Sequence, residues 1–211
     1  NNFKKLEDGE LKKKINNYSK KVNFPLKEIF IMDGSKRSSH SNAYFTGFGK
    51  NKRIVLFDTL LDNHSNDEII AIIAHEVGHY KKKHILFSTL ISIIFIGIML
   101  YSFSFFIRNS ILFEAFKMEN ISIYAGIIIF SILYSPISLI LGIIMNYYSR
   151  CNEYEADQFS SKTIQDKNEL IKALKNLSVS NLSNLAPHPF HVILNFSHPP
   201  VLKRIEKIKY Y

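Results

Sequence analysis

Two histidines, His75 and His79, stand four residues apart in the run HEVGH at residues 75–79, and Glu76 directly follows the first. On a helix, positions i and i+4 share a face one turn apart, so both imidazoles can bind one zinc ion. Glu76 then lies beside the metal, where its carboxylate can take a proton from a water molecule. The run therefore predicts a zinc-dependent hydrolytic centre, although two solvent-exposed helix histidines would give the same pattern.

A catalytic zinc ion usually takes a third protein ligand and leaves one coordination position for water. We expect His84, five residues after His79, to point away from the zinc-binding face. The candidates that follow the motif are His84, Cys151, Glu153, Glu155, Asp157, His188, His191 and His198.

Two long segments lack Asp, Glu, Lys, Arg and His: 23 residues at 85–107 and 29 residues at 121–149. A bilayer core of ~30 Å needs about 20 helical residues, so each segment is long enough to span a membrane. Buried helices of a soluble protein are the alternative, but both segments are apolar on all sides, which favours spanning. The 13-residue linker at 108–120 makes them a transmembrane hairpin.

The outer ends of this hairpin carry the basic residues Lys81–Lys83 and Arg150, whereas the linker carries Arg108 and Lys117. The excess of positive charge predicts that the outer ends face the cytoplasm. Residues 1–84 and 150–211 would then lie at one membrane face.

The hairpin also predicts the position of an acidic segment, NEYEAD at 152–157. The second span returns the chain to the membrane face from which the first departs just after His79, so this segment arrives beside the histidines. Glu153 and Asp157 share a helical face, and Glu155 lies on another. Helical spacing alone leaves open which carboxylate binds the metal, and two solvated carboxylates at a helix N-terminus are the alternative.

The remaining sequence predicts the elements that hold these groups. Residues 4–21 have the pattern of an amphipathic helix, and residues 42–48 and 53–57 that of two strands around a turn at 49–52. The run from Ser65 to Glu68 is a capping box that opens the histidine-bearing helix. Two further helices are predicted at 152–182 and 200–210, separated by a loop.

Composition excludes several classes of protein. The hydrophobic fraction of 46% is too high for a disordered chain, and the single cysteine, Cys151, excludes a disulfide scaffold. The net charge is +9, and residues 1–53 hold 13 basic against 5 acidic residues. No nucleic-acid-binding motif accompanies this charge, so we expect no nucleic acid as its partner; a membrane surface is one interpretation of the charge, and a solvated surface without a partner is the alternative.

The order of the motifs resembles the C-terminal catalytic half of the type I CAAX prenyl proteases, zinc endopeptidases of the endoplasmic reticulum membrane. Nearly the whole chain takes part in this resemblance. The segments that carry it are GSKRSSHSNAYF at 34–45, KNKRIVLFDTLL at 50–61, HEVGH at 75–79, NEYEAD at 152–157 and FSHPPVLKR at 196–204.

The resemblance implies a role for particular residues. His75, His79 and Glu153 would bind Zn²⁺, and Glu76 would be the general base. Asp157 would support a zinc-binding histidine, and His198 would hold the scissile peptide or its oxyanion. An extended substrate would pair with the strand that contains Asn42, Ala43 and Tyr44.

The resemblance also implies an overall organisation. We expect a mostly α-helical integral membrane protein, in which a transmembrane hairpin joins a zincin-like helix bundle with a small sheet that has an edge strand. Residues 1–211 would form one peptidase catalytic domain: a soluble part at 1–84, spans at 85–107 and 121–149, and soluble helices at 150–211. The family has seven spans, so we expect this chain to be a fragment of a longer, multi-pass protein of the endoplasmic reticulum membrane.

The implied reaction is removal of the C-terminal tripeptide from prenylated, for example farnesylated, CAAX proteins, at the cytoplasmic side of the membrane. Two other functions agree with parts of the sequence. A membrane quality-control metalloprotease would share the HExxH run and the later acidic helix. A catalytically inactive scaffold would keep the membrane hairpin without binding zinc.

Overall fold

The structure, a computed structural model, describes residues 3–35, 42–47 and 51–211. These residues form four strands and nine helices. The strands are β1 (Phe3–Lys5), β2 (Leu26–Met32), β3 (Ala43–Thr46) and β4 (Lys52–Phe57). The helices are α1 (Glu10–Lys21), α2 (Asp58–Asn63), α3 (Asn66–Lys81), α4 (His84–Phe106), α5 (Ser110–Ala115), α6 (Ile123–Thr163), α7 (Lys167–Ser180), α8 (Pro189–Asn195) and α9 (Val201–Tyr210).

The four strands form one mixed sheet in the order β1-β2-β4-β3. β2 and β4 are parallel, and β1 and β3 pair antiparallel with them at the two edges. The predicted pairing of the strands around residues 49–52 is therefore present, with Ala43 opposite Leu56. Residues 48–50, which include most of the predicted turn, lie outside the described residues.

The first helix is shorter than the amphipathic pattern predicts. It begins at Glu10, because the preceding residues Phe3–Lys5 pair with β2 instead. The N–H group of Leu6 continues this pairing by donating to the carbonyl of Ile29 at 3.0 Å. Backbone pairing with a neighbouring strand thus overrides the helical pattern of residues 4–9.

Helices α4 and α6 contain the two predicted spans except for residue 107 and residues 121–122, and both are long and apolar enough to cross a membrane. Most of their large apolar side chains are exposed, as expected for surfaces that lie against lipid or another apolar partner. The linker between them contains α5, whose Phe113 is 1% exposed. The ring of Phe113 lies close to Gly126 at the start of α6, so the linker packs onto the helical hairpin.

The acidic segment does not begin a new helix, in contrast to the prediction. α6 runs without interruption for 41 residues from the membrane segment through Glu153 to Thr163. No glycine or proline lies between Ser149 and Asn152, so nothing in the sequence stops the helix there. The carboxylates therefore lie in the middle of a long helix, and a helix N-terminus cannot account for them.

The predicted helix at 152–182 is also divided. α6 ends at Thr163, and Ile164 adopts an extended backbone before α7 begins at Lys167. The side chain of Asp166 caps α7 by accepting a hydrogen bond from the N–H group of Asn168 at 2.9 Å. A second difference is α8, which forms within the segment predicted to be a loop.

The core of the soluble part is built around α3. Its apolar side chains Ile69, Ile73 and Val77 are almost fully buried in one cluster with Ile54 and Leu56 of β4. The opposite side of α3 packs against α6 and α7, and Ser160 of α6 donates to the Ala71 carbonyl at 3.0 Å. Because α3 is held on all sides, the residues in its second half have fixed positions.

Candidate functional site

The capping box at the start of α3 forms as the sequence predicts. The Ser65 hydroxyl accepts from the N–H group of Glu68 at 3.3 Å, and the Glu68 carboxylate accepts from the N–H group of Ser65 at 2.7 Å. The other carboxylate oxygen of Glu68 accepts a hydrogen bond from Asn176 of α7 at 2.8 Å. These bonds fix where α3 begins, and hence which of its residues face α6.

Three side chains converge where α3 faces α6: His75, His79 and Glu153. The Nε2 atoms of the two histidines are 3.1 Å apart. The Glu153 oxygens lie 3.4 Å from the His75 Nε2 atom and 3.3 Å from the His79 Nε2 atom. Among the described residues this is the one group of three or more such side chains that could hold a metal ion.

The donor set fits a catalytic divalent metal ion. Two imidazole nitrogens and one carboxylate oxygen are a known ligand set of catalytic zinc sites. The Oε2 atom of Glu153 is buried and accepts no hydrogen bond from the described residues, although the Arg204 Nη1 atom is 3.2 Å away. A buried carboxylate oxygen without a hydrogen bond is costly unless another ligand satisfies it.

The carboxylate of Asp157 holds the far side of the His75 ring. Its Oδ1 atom is 2.9 Å from the His75 Nδ1 atom, as in the carboxylate–histidine pairs that orient metal ligands. Arg204 of α9 donates to both oxygens of this carboxylate, at 2.8 Å and 2.7 Å. No role for Arg204 follows from the sequence, where its one signal is its place in the run FSHPPVLKR.

His84 occupies a position that the sequence analysis did not predict. It is 5% exposed, and its Nδ1 atom lies 3.0 Å from the Nδ1 atom of His79. The expectation that it points away assumed a continuous helix, but α3 ends at Lys81 and Lys83 adopts a left-handed backbone with φ of 57°. This turn brings His84, the first residue of α4, back towards His79.

The pKa values of the central groups follow from burial and hydrogen bonding. Burial raises the pKa of Glu76 above its ordinary value, although the neighbouring His75 acts in the opposite direction. Burial alone would lower the pKa of His75, but the neighbouring carboxylates of Asp157 and Glu153 outweigh it and raise this pKa to about 9. In the case of Glu153, the facing rings of His198, His75 and His79 overcome burial and hold its pKa far below the usual range.

Glu76 and Glu153 line a cavity of about 500 Å³, together with Asn42, Ala43 and His198. Both catalytic candidates, Glu76 and His198, thus line one cavity. The metal-ligand candidates His75 and Glu153 and the substrate-binding candidates Asn42 and Ala43 line it as well.

Tyr44 is the predicted substrate-binding residue that does not line this cavity. Successive side chains of a strand point to opposite faces of the sheet, and that of Tyr44 packs edge-on against Phe57. Its hydroxyl group lies 3.9 Å from the Met32 sulfur atom.

His198 lies in the loop between α8 and α9, with its Nδ1 atom 3.0 Å from the Glu153 Oε1 atom. Arg150 of α6 fixes the start of this loop, because its guanidinium donates to the carbonyls of Val192 and Phe196 at 3.1 Å and 2.6 Å. The other two candidate histidines have local roles: His188 caps α8, and His191 contacts Asn195 one turn further on.

Comparison with known proteins gives consistent matches over the whole chain. The model of peptidase family M48 matches residues 5–211. CAAX prenyl protease 1 of Saccharomyces cerevisiae is 38% identical over 226 residues, which cover 100% of this chain and 50% of that protein. The CAAX prenyl protease 1 homolog of Arabidopsis thaliana is 41% identical over 215 residues, covering 99% of this chain and 49% of that protein.

The fold is similar to that in the crystal structure of S. mikatae Ste24p, with a TM-score of 0.85 and 40% identity. The match covers 98% of this chain and 50% of that one. The chain thus spans about half the length of the curated relatives that it matches.

Proposed function

This chain belongs to peptidase family M48, and on that basis we propose that it is the catalytic portion of a zinc-dependent membrane endopeptidase that acts on prenylated CAAX proteins. The reaction is hydrolysis of the peptide bond that releases the C-terminal tripeptide. The observation that carries the proposal is the convergence of His75, His79 and Glu153 beside a cavity that Glu76 lines and that an edge strand borders.

His75, His79 and Glu153 are the residues that would hold the zinc ion. When bound, zinc supplies Lewis acidity for the scissile carbonyl and makes a water molecule more acidic. The Glu76 carboxylate accepts a proton from the attacking water and returns it to the leaving amine. Glu76 lines the cavity together with His75 and Glu153, and this position supports both proton transfers.

His198, which lines the same cavity, stabilises the bound substrate. Its side chain is 67% exposed and one ring nitrogen faces Glu153, so the other nitrogen is available to a bound peptide. A hydrogen bond to the oxyanion at such a position typically contributes about 10²–10³-fold to the rate.

The edge strand β3 binds the substrate as an added strand. The Phe57 N–H group donates to the Asn42 carbonyl at 3.1 Å, so the polar backbone groups of the next residue, Ala43, point away from β4. Within residues 3–35, 42–47 and 51–211, the hydrogen bond that the Ala43 N–H group donates is a local one, to the Asn42 side chain at 2.8 Å. A substrate peptide can displace this bond and pair with β3 across the cavity.

The membrane hairpin supports a location at the cytoplasmic face of a membrane, which we propose is that of the endoplasmic reticulum. α4 begins three residues after α3 ends, and α6 continues from the membrane segment into the residues around Glu153. The catalytic groups therefore lie at the ends of both spans, near the lipid that anchors a prenylated substrate. The names of the relatives as CAAX prenyl proteases support this class of substrate.

The proposal is tested with the full open reading frame, purified in detergent. Zinc content is measured first, followed by cleavage of a farnesylated CAAX peptide and of the same peptide without the lipid. We expect one zinc ion per chain and release of the last three residues from the farnesylated peptide alone. Equal cleavage of both peptides would instead favour a quality-control protease, and absence of zinc would favour an inactive scaffold.

A further inference from the structure

The Nδ1 atoms of the two candidate metal-binding histidines, which lie on the side of each ring away from the metal site, face different kinds of partner. The Nδ1 atom of His75 faces the carboxylate of Asp157 at 2.9 Å. The Nδ1 atom of His79 faces another imidazole, that of His84, at 3.0 Å. The Nε2 atom of His84 lies 3.5 Å from the Oε2 atom of Glu155.

We infer that His84 is a positioning residue for the metal centre, which sets the tautomer and the orientation of the His79 ring. This inference rests on the zinc site of the proposed function. A histidine that binds a metal through Nε2 carries its proton on Nδ1 and donates it to a second group, which fixes the ring. The Nδ1 atom of His84, 3.0 Å from the Nδ1 atom of His79, is the group placed to accept this hydrogen bond.

The hydrogen-bond directions along the chain of three residues are then determined. Because the His84 Nδ1 atom accepts from His79, the proton of the neutral His84 ring is on Nε2. That N–H group points to Glu155, whose carboxylate is an acceptor. The order is therefore Glu155, His84, His79 and the metal, with each ring donating away from the metal.

The surroundings of His84 hold its side chain in a buried position beside Glu155. Its side chain is 7% exposed, whereas that of Glu155 is 52% exposed. Lys82 lies 3.6 Å from the same Glu155 oxygen and balances its charge. The left-handed backbone of Lys83 turns the chain so that the first residue of α4 reaches His79. His84 thus connects the start of a membrane helix to the metal centre.

The test compares zinc affinity among three variants of the full-length protein, measured by competition with a chelator. His84→Phe keeps a ring of similar size but cannot accept the hydrogen bond. His84→Asn places an amide oxygen near the position of Nδ1 and is the conservative replacement. His191→Phe is the matched control, because His191 is exposed and contacts Asn195 of its own helix.

We expect His84→Phe to weaken zinc binding by about 10–100-fold, the usual effect of removing a group that orients a metal ligand. His84→Asn should bind zinc within about threefold of the unaltered protein, and His191→Phe should match it. The visible absorption of bound Co²⁺ should change in His84→Phe and return towards normal in His84→Asn. Thermal unfolding of the metal-free proteins reports whether each variant folds.

Several results would overturn the inference. If His84→Phe binds zinc as tightly as the unaltered protein, His84 does not position a ligand. If both variants at His84 lose zinc and metal-free stability equally, its role is packing. An unaltered protein without zinc affinity would refute the inference and the proposed function together. A protein that binds zinc tightly but cleaves no peptide would refute only the function.

Discussion

Gly78 lies against the backbone of Ala156, so close that a Cβ atom on Gly78 would come within 3.0 Å of the Ala156 Cα atom. This contact is where α3 approaches α6, one residue before His79 and three residues after Glu153. The spacing between the two helices at this point determines whether the Glu153 carboxylate can reach both histidines. A side chain at Gly78 would therefore crowd the contact that brings Glu153 to the histidines.

The first prediction concerns this contact. Gly78→Ala should force α3 and α6 apart, because the nearest atoms belong to backbone that cannot move aside. We expect a loss of stability of about 1–3 kcal/mol and weaker zinc binding, measured by thermal unfolding and chelator competition. Gly142→Ala is the control, since a Cβ atom there meets nothing within 4 Å. If Gly78→Ala and Gly142→Ala have the same stability and the same zinc affinity, the close approach of α3 and α6 at Gly78 affects neither property.

The second prediction concerns the ion pair between Arg204 and Asp157. The Asp157 side chain is fully buried and that of Arg204 is 11% exposed. Arg204→Gln would leave a buried carboxylate without its counter-charge, which should lower the free energy of unfolding by about 3–5 kcal/mol. Chemical denaturation in detergent measures this difference.

The neighbouring residue Lys203 supplies the control for Arg204. Lys203 forms an exposed ion pair with Glu206 at 3.1 Å, so Lys203→Gln should cost less than about 1 kcal/mol. If the two substitutions have similar effects, the buried pair does not stabilise the site as we describe.

The third prediction tests substrate binding at the edge strand. Ala43→Pro removes the N–H group that points away from β4, so it should raise the KM for the peptide and leave zinc affinity unchanged. The control is Lys5→Pro, at the opposite edge of the sheet in β1. Steady-state cleavage kinetics distinguish the two variants. An unchanged KM in Ala43→Pro would argue against strand addition at β3.

The fourth prediction concerns the pH dependence of stability. Burial lowers the pKa of His64 below its ordinary value, and Glu68 only partly opposes this shift. The folded state therefore binds a proton at His64 less readily than the unfolded chain. The resulting stability is present above the unfolded-state pKa of about 6.5 and is lost as the pH falls from that value through the lower pKa of the folded state.

Replacement of His64 should reduce this acid sensitivity. Between about pH 7.5 and 5.5, the melting temperature of His64→Phe should fall less than that of the unaltered protein. His191→Phe serves as the exposed control and should keep the original pH dependence. A His64→Phe variant that loses as much stability on acidification would show that protonation of His64 is not the cause.

Much of the site can be predicted from the sequence, because local signals agree there. The capping box at Ser65 places His75 and His79 on one helix, and two uncharged segments of membrane length return the chain to the same face. Together they bring the segment around Glu153 to the histidines. Local spacing could not decide between Glu153 and Asp157, and the structure separates them by contact: Glu153 faces both Nε2 atoms and Asp157 faces His75 Nδ1.

The residues that the sequence analysis missed depend on tertiary geometry. Arg204 reaches Asp157 only because α9 packs near α6, and nothing in its local sequence indicates that contact. His84 was misplaced because the left-handed backbone at Lys83 interrupts the helical spacing. The continuity of α6 does not follow from the sequence pattern, because the apolar segment ends at Ser149 whereas the helix continues to Thr163.

The central claim is that Glu76 moves the proton in a zinc-dependent peptide hydrolysis, and the most direct test is the cleavage rate of Glu76→Gln. A farnesylated CAAX peptide is the substrate, and zinc content is matched to that of the unaltered protein. We predict that zinc is retained while the rate falls by about 10²–10⁴-fold or more. A Glu76→Gln variant that retains zinc and cleaves the peptide at the original rate would contradict the account.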